Sequence, residues 1–292
     1  MISILIINFN DGKYIKNCLE AIGGLNYKDY EVIVVDNGSV DDSLKIVKKF
    51  PDVKVIELGK NYGIPAYNFG IKEARGEYLF FLGSHVIVDK NVLDVLLEVL
   101  KKEEVGGVGC KLYDLNDKKT IKNMGFEVNL LNGKVKMLNY NEKDCERFDE
   151  VVDVMCIGSG NFLVKKKVLD KIGYFDERFF LGDGDADLCL RIRKKSYKLK
   201  VVPKAKIYEE FEKHAGKKHF RVFHEIRGKI LLMRKHSKNF FIFLVIFLFY
   251  SVFKLVYYCF ILRFDIVSAY AKGFFSGLGN KQITYKSGIK NY

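Results

Sequence analysis

Between Ser3 and Leu58 the chain alternates two kinds of apolar pattern. The runs "SILIINF", "EVIVVD" and "VKVIEL" are short, β-branched and nearly continuous in their apolarity. Between them, Tyr14, Ile15, Cys18, Leu19 and Ile22 recur at helical spacing, and a second short helix is predicted from Asp41. A strand that is apolar on both faces must be covered on both faces. The order strand, helix, strand, helix, strand is therefore met by a parallel sheet between two helical layers. Ligands of such sheets bind at the carboxyl ends of the strands. That directs attention to the loops after "SILIINF", after "EVIVVD" and after "YLFFLG".

The pattern changes further along. "GFEVNLLNGKVKML" carries Asn132-Gly133 between two alternating runs and reads as a β-hairpin, so the sheet becomes mixed. "DADLCLRIRKK" returns to helix, with Asp187 and Arg191 spaced as a surface pair one turn apart. "YKLKVVP" and "AKIYEEF" read as two short strands. From Phe240 to Leu262 only Ser251 and Lys254 are strongly polar, and Arg227, Lys229, Arg234, Lys235 and Lys238 precede the run. Its length suffices to cross a bilayer, and one central Lys costs about 3 kcal/mol on insertion scales, so a membrane-spanning segment is the first expectation. Tyr250, Ser251, Lys254, Tyr257 and Tyr258 also form a weak polar stripe, which keeps open a helix lying in the membrane interface.

Charge supports a membrane partner. The net charge is +13, but residues 191–292 hold 23 basic and 5 acidic residues, a net of +18, while residues 1–190 hold 26 basic and 31 acidic, a net of −5. A basic third beside an apolar run suits an anionic bilayer surface, and no zinc-finger or recognition-helix pattern points to nucleic acid. The six cysteines show no CxxC spacing and mostly sit in apolar runs, as reduced structural thiols do. "MISILIINFNDG" has no cationic leader and runs into turn residues, so it reads as a first strand, with the catalytic part expected in the cytosol at the cell membrane.

Three stretches, "NYGIPAYNFGIKEARGEYLFFL", "GSGNFLVKKKVLDKIGYFDERFF" and "DADLCLRIRKKSYKLKVVPKAKIY", in this order and spacing resemble family-2 glycosyltransferases, in particular the rhamnosyltransferase-like branch of cell-surface glycan assembly. The resemblance covers residues 2 to about 235. It implies an α/β GT-A fold, a Rossmann-like mixed sheet flanked by helices, here with a C-terminal membrane-associated helical segment. The expected division is a catalytic domain over 1–215, a basic amphipathic connector over 216–238, a membrane segment over 239–263 and a basic tail over 264–292. The implied reaction is inverting transfer from a nucleotide-diphosphate sugar to a lipid-linked or other surface glycan, with a divalent metal, Mn or Mg, at the donor phosphates. A leaving diphosphate gathers negative charge that a metal neutralises, and the attacking hydroxyl needs a carboxylate to take its proton.

Carried over by position, Asn8, Phe9, Asp36 and Asn37 hold the nucleotide, Asn61 and Asn68 contact the donor, and Asp185 is the general base. Gly158 and Gly160, in "CIGSGNF", and Asp187 fall on the acceptor side. Local readings compete with these: a turn and cap for Asp36 to Asp41, caps for the two Asn residues, a helix N-cap for Asp185 and a tight turn for the glycines. The chain departs from the family in three places. His85, in "LGSH", stands where an acid of a DXD-like motif binds the metal; Gly184 replaces a Glu; and Glu209 stands where a His is common. The first and third suggest an exchanged ligand pair, His85 with Glu209, and imidazole shifts preference toward Mn. A metal-free site, rescue by Asp89, a different histidine (His214), a binding subunit without turnover and a basic membrane-surface scaffold remain as alternatives.

Overall fold

The computed structural model describes residues 1–210, 218–279 and 281–286. His214 lies outside the described residues. The opening alternation folds as β1 (Ile2–Asn8), α1 (Ile15–Gly23), β2 (Tyr30–Asp36), α2 (Ser43–Val47) and β3 (Val53–Glu57). After the two-residue strand β4 (Lys60–Asn61) come α3 (Tyr67–Glu73), β5 (Tyr78–Gly83), β6 (Val86–Val88), α4 (Val92–Leu100) and β7 (Val105–Asp114). β1 pairs in parallel with β2 on one side and β5 on the other. The chain thus runs outward to β3 and returns to the far side of β1. Successive residues face opposite layers: Ile4, Ile6, Val34 and Phe80 pack under α1 and α4, while Leu5, Ile33, Val35 and Phe81 pack on the other side.

The remaining strands are β8 (Ile121–Asn123), β9 (Phe126–Val128), β10 (Val135–Met137), β11 (Val152–Val154) and β12 (Asn161–Lys165). They are followed by α5 (Lys166–Ile172), α6 (Gly184–Lys194) and β13 (Lys198–Glu209). The main sheet has the order β11-β13-β7-β12-β5-β1-β2-β3, with β6 on β13 and β8 on β7. β12 runs antiparallel to both β5 and β7, so the sheet is mixed. The hairpin is present as β9 and β10, closed by a loop from Asn129 to Lys134 in which Gly133 takes φ +68°. The two strands expected after α6 are one strand, β13. Its register shifts between Val202 and Lys206, which lets Pro203 sit where no ladder hydrogen bond is asked of it.

The expected connector contains α7 (Lys218–His236), the expected membrane segment is α8 (Phe240–Phe260), which is long and apolar enough to cross a membrane, and the expected tail contains a third helix, α9 (Phe264–Leu278). α9 packs on α7 through Ala269, Gly273 and Gly277, and a Cβ at Gly273 would stand 2.6 Å from the Phe223 carbonyl oxygen. His219 faces Asp265, and Gly277 faces Arg227 and Ile230, so the two helices run in the same direction. α8 runs back between their ends. Its Phe243 lies beside Lys229's neighbour in the hairpin, Gly133, and its Tyr258 ring lies 5.3 Å from Lys218 Nζ. Phe247 stacks on Tyr270 and Phe274, and the Ser251 and Tyr270 hydroxyls are hydrogen-bonded. A last strand, β14 (Tyr285–Lys286), pairs with β4.

α7 is fastened to the domain that holds the main sheet. The Arg227 guanidinium bonds to the Arg178 carbonyl and to Ser276 Oγ, and the Phe180 ring lies 4.5 Å from His224. The strongest tie is Asp187. In the expected surface pair with Arg191 the acid is instead fully buried: Asp187 accepts from the half-buried Arg191 Nε at 2.8 Å, and Lys235 Nζ and His236 Nε2 each approach it at 2.7 Å. Its cationic neighbours hold the Asp187 carboxyl below the usual range despite burial. Removing one member of a buried charge set strands the others. Asp187→Ala is therefore expected to cost about 3–5 kcal/mol, read as a lowered denaturation midpoint of the full chain.

Candidate active site

The loops after β1, β2 and β5 converge, as a strand order that reverses at β1 requires. They enclose a cleft of about 310 Å³ whose walls include Phe9, Asp11, Asn37, Asn61, Tyr67 and His85. Asn37 and Asn61 form one wall. Asn37 Nδ2 donates to Asn61 Oδ1 at 2.9 Å, and Asn37 Oδ1 accepts from the Tyr62 amide at 2.8 Å. Asn8 and Asp36 stand behind the wall. Asn8 Nδ2 donates to Asp36 Oδ1 and Ser43 Oγ, each at 2.8 Å, and Asp36 Oδ2 accepts from the Ser39 amide. Both side chains are buried and brace the loops rather than line the cleft. Asn68 departs from the donor role expected of it. Its amide clamps Phe175, donating to the carbonyl at 2.8 Å and accepting from the N–H at 3.0 Å.

His85 also lines a second cavity of about 160 Å³ that includes Gly158, Asn161 and Glu209 in its lining. Antiparallel pairing of β6 with β13 sets Val86 opposite Glu209, so the residue before Val86 meets that carboxylate. His85 Nε2 lies 3.0 Å from Glu209 Oε1. Burial pulls the imidazole pKa down, but Glu209 and the nearby Asp11 outweigh it and hold the pKa above its ordinary value. Asp11 was not singled out in the sequence, where "NFNDG" reads as a turn. Only the fold brings it to His85, with the Ser84 hydroxyl donating to it and burial raising its pKa. The loop that lacks an acid thus receives two from elsewhere.

The chemistry of this donor set fits a divalent ion. One imidazole nitrogen and one carboxylate share the junction, and the proton between them must leave for both to ligate. Among the described residues no group of three or more His, Cys, Asp or Glu is arranged around an ion. Asp89 plays no part here: its Oδ1 accepts from the Asn91 amide at the start of α4.

Asp185 lies in the first turn of α6. It is not the N-cap, a place taken by Asp183 in the left-handed region at φ +41°. Burial raises the Asp185 pKa, opposed by hydrogen bonds from the Ser159 hydroxyl and amide. Its Oδ1 is buried without a partner. The Tyr67 hydroxyl sits between the Leu82 and Ser159 carbonyl oxygens, at 3.0 and 3.2 Å, and so fixes the Ser159 loop to β5. Gly158 and Gly160 flank that loop, and a Cβ at Gly158 would come within 3.9 Å of Asp185 Oδ2. Gly184 has little room for the expected Glu, since even a Cβ would stand 3.2 Å from that of Phe179. Asp187, two residues beyond Asp185, is turned into the α7 contact and so is not on the acceptor face.

The family model for glycosyl transferase family 2 matches residues 3–173, more than half of the chain. The chain belongs to glycosyl transferase family 2. Among curated relatives, a Methanococcus voltae dolichyl N-acetyl-alpha-D-glucosaminyl phosphate 3-beta-D-2,3-diacetamido-2,3-dideoxy-beta-D-glucuronosyltransferase is 33% identical over 39% of this chain and 40% of its own length. A Staphylococcus epidermidis poly-beta-1,6-N-acetyl-D-glucosamine synthase is 27% identical over 70% of this chain and 48% of its own length. The chain thus spans less than half the length of these relatives. Solved structures share the GT-A fold. GalNAc-T7 with UDP, GalNAc and Mn2+ superposes with a TM-score of 0.67 at 14% identity, over 82% of this chain and 48% of that one. The Pyrobaculum calidifontis mannosyltransferase PcManGT with GDP-Man and Mn2+ gives 0.59 at 15% identity, over 97% of this chain and 76% of that one.

Within this family-2 domain, the Asn68 clamp predicts a separation of effects. Asn68→Ala is expected to lose about 1–3 kcal/mol of stability by stranding buried backbone groups of Phe175. Nucleotide affinity of the folded fraction, measured by calorimetry below the melting transition, is expected to stay within twofold of the parent.

Proposed function

We propose that this chain is an inverting glycosyltransferase that moves a sugar from a nucleotide-diphosphate donor to a lipid-linked or other cell-surface glycan. The observation that carries the reading is the Asp185 carboxylate. One oxygen is held by Ser159, the other is buried without a partner, and the loop it adjoins divides the two cavities. In the proposed reaction the acceptor oxygen attacks the anomeric carbon, its proton passes to Asp185, and the bond from that carbon to the diphosphate oxygen breaks. A pKa raised by burial makes the carboxylate a better proton acceptor than an exposed Asp. Phe9, Asn37 and Asn61 are proposed to hold the nucleotide, braced by Asn8 and Asp36. Asp185→Asn keeps the shape and cannot take the proton. It is expected to lower transfer by at least about a hundredfold while donor affinity changes little. Near-parental turnover by this variant, measured with a sugar-transfer assay, would place the base elsewhere.

His85 and Glu209 are the residues proposed to hold a divalent metal, which when bound would neutralise charge developing on the leaving diphosphate. A borderline imidazole ligand favours Mn over Mg. Ligation needs the neutral ring, and because Glu209 and Asp11 raise the His85 pKa, the ligating form is lost as pH falls through a value above the ordinary 6.5 or so. Activity is accordingly expected to fall on the acid side at a higher pH than an isolated histidine would give. His85→Asp is expected to raise the Mg-supported rate and to move that acid limb downward. Rates in Mg, Mn and excess EDTA across pH decide it, and EDTA-insensitive transfer by the parent would remove the metal from the scheme.

The helices argue for a helix in the plane of the membrane, not across it. α8 runs antiparallel to α7, meeting it near its start at Phe243 and near its end where Tyr258 meets Lys218, and α7 carries exposed Arg221 and Glu225 and is fastened to the catalytic domain. A bilayer crossed by α8 would have to admit α7 as well. The outward face of α8, from Val245, Phe249 and Val252 to Val256 and Phe260, is exposed and uncharged, while Ser251 and Lys254 lie on the side toward α7 and α9. The proposed arrangement sinks this face into the headgroup boundary, with the catalytic domain in the cytosol. Its free thiols, four of the six buried, suit a reducing compartment. With the exposed Cys145 and Cys259 replaced by Ser, cysteines placed one at a time at Asn239 and Arg263, at the two ends of α8, are expected to react with an impermeant maleimide from the same side of sealed vesicles. Labelling from opposite sides would restore the spanning helix.

A further inference from the structure

Away from the cleft, the β9–β10 hairpin shows apolar side chains to the surface. Val135 stands opposite Val128 and Met137 opposite Phe126, so the two pairs share one face of the hairpin. On that face Val128 is buried in the main core and Phe126 packs against it. Val135 and Met137 carry the face past the edge of the core and are 45% and 39% exposed, and Leu131, in the loop, is 51% exposed. The loop holds Leu131 in place, since Asn129 Oδ1 accepts from the Leu131 and Asn132 amides at 2.9 and 3.1 Å.

This hairpin is docked on the first half of α8. A Cβ at Gly133 would stand 3.1 Å from the Phe243 ring and 3.3 Å from the Lys229 stem. The Ser237 hydroxyl donates to the Leu130 carbonyl at 2.8 Å, and Leu130 packs on the cluster that holds Phe243 and Phe247. Lys134 Nζ lies 5.2 Å from the centre of the exposed Tyr250 ring. The exposed faces of hairpin and helix therefore adjoin at Lys134 and Tyr250, and a surface that receives α8 reaches the hairpin as well. Charge selects that surface. From Asn129 to Tyr140 the chain has Lys134 and Lys136 and no acid, and from Ile226 to Phe264 it again has no acid. Apolar side chains ringed by unopposed lysines match an anionic bilayer, where the chains enter the headgroup boundary and the ammonium groups meet phosphates.

We propose that the β9–β10 hairpin is a second membrane contact, with Leu131, Val135 and Met137 in the headgroup boundary of an anionic bilayer and Lys134 and Lys136 at its phosphates. The proposal rests on the reading that α8 binds a bilayer. Two contacts fix the tilt of the domain, which one helix leaves free. They also set which part of the domain faces the lipid: Lys229, under Gly133, follows Gly228, where a Cβ would stand 2.9 Å from Asp183 Oδ2, two residues before Asp185.

The test uses the full chain with the exposed Cys145 and Cys259 replaced by Ser. Leu131→Cys, Met137→Cys, Phe249→Cys and Asp52→Cys are made one at a time and labelled with bimane. Each protein is placed in vesicles of phosphatidylcholine and phosphatidylglycerol, with and without doxyl-labelled lipid. Phe249 reports on the exposed face of α8. Asp52 is exposed just before β3, at the far edge of the sheet from β11, beside which Phe126 of the hairpin bridges to Cys156. Doxyl lipid is expected to quench the Leu131, Met137 and Phe249 labels about twofold or more and to leave the Asp52 label unchanged, because an interfacial contact buries side chains only at the headgroup and acyl boundary. In phosphatidylcholine alone the hairpin quenching is expected to fall while that at Phe249 persists. A hairpin variant with a lowered melting transition is replaced by Val135→Cys. Quenching at Phe249 alone overturns the hairpin contact and leaves the membrane reading standing, whereas quenching at none of the sites sinks both. Equal quenching at Asp52, or hairpin quenching indifferent to the anionic lipid, also overturns the proposal. Hairpin labels shielded from aqueous iodide yet out of reach of doxyl lipid overturn it in favour of a protein partner.

Discussion

Pairing β1 in parallel with both β2 and β5 is the constraint on which the site depends. Hydrogen bonds on both edges of β1 leave its carboxyl end no freedom, and they bring three loops from distant parts of the sequence to one edge of the sheet. Phe9 and Asp11, Asn37, and His85 each occupy one of those loops. β12, inserted antiparallel beside β5, then carries the Ser159 loop to the same edge, where Tyr67 pins it against Leu82. Each side chain in the cleft is placed by backbone pairing, and the side chains themselves add only local adjustments. The sheet can be this demanding because its central strands are buried on both faces, so slipping one residue in register would exchange two complete apolar layers.

The junction at His85 is placed by strand pairing. β6 and β13 cross so that one residue before Val86 always faces the residue opposite Val86. Here the imidazole stands on the β6 side and the carboxylate on β13. Asp11 adds a second negative charge from a loop that has no sequence relation to either. The local field at His85 is therefore set by two other elements, and removing Glu209 or Asp11 lowers the imidazole pKa.

What was legible in the sequence was whatever periodicity and turn chemistry control. The parallel strands, the hairpin with Gly133, the α6 helix and the family were all readable from runs and spacings. The pairing of His85 with Glu209 followed from two departures from the family pattern, read together. What was not legible depended on contacts between distant segments. Asp187 and Arg191 have the spacing of an exposed helical pair, and only the arrival of Lys235 and His236 from α7 turns them into a buried set. Asn68 has the look of a ligand residue until Phe175 appears opposite it. Asp11 carried no local signal, since a turn aspartate is ordinary. The apolar run gave the length of α8, but its orientation was decided by α7 and α9, whose packing rests on Gly273 and Gly277.

The short pairing of β14 with β4 has a mechanical consequence. β4 contains Asn61, one wall of the cleft, and the β14 residue opposite it is Tyr285, whose hydroxyl is 2.8 Å from His224 Nε2 on α7. β14 is thus a strap, tied at one point to the helix bundle and at the other to the cleft wall. Any shift of α7 is delivered through a few backbone hydrogen bonds to the rim of the cleft.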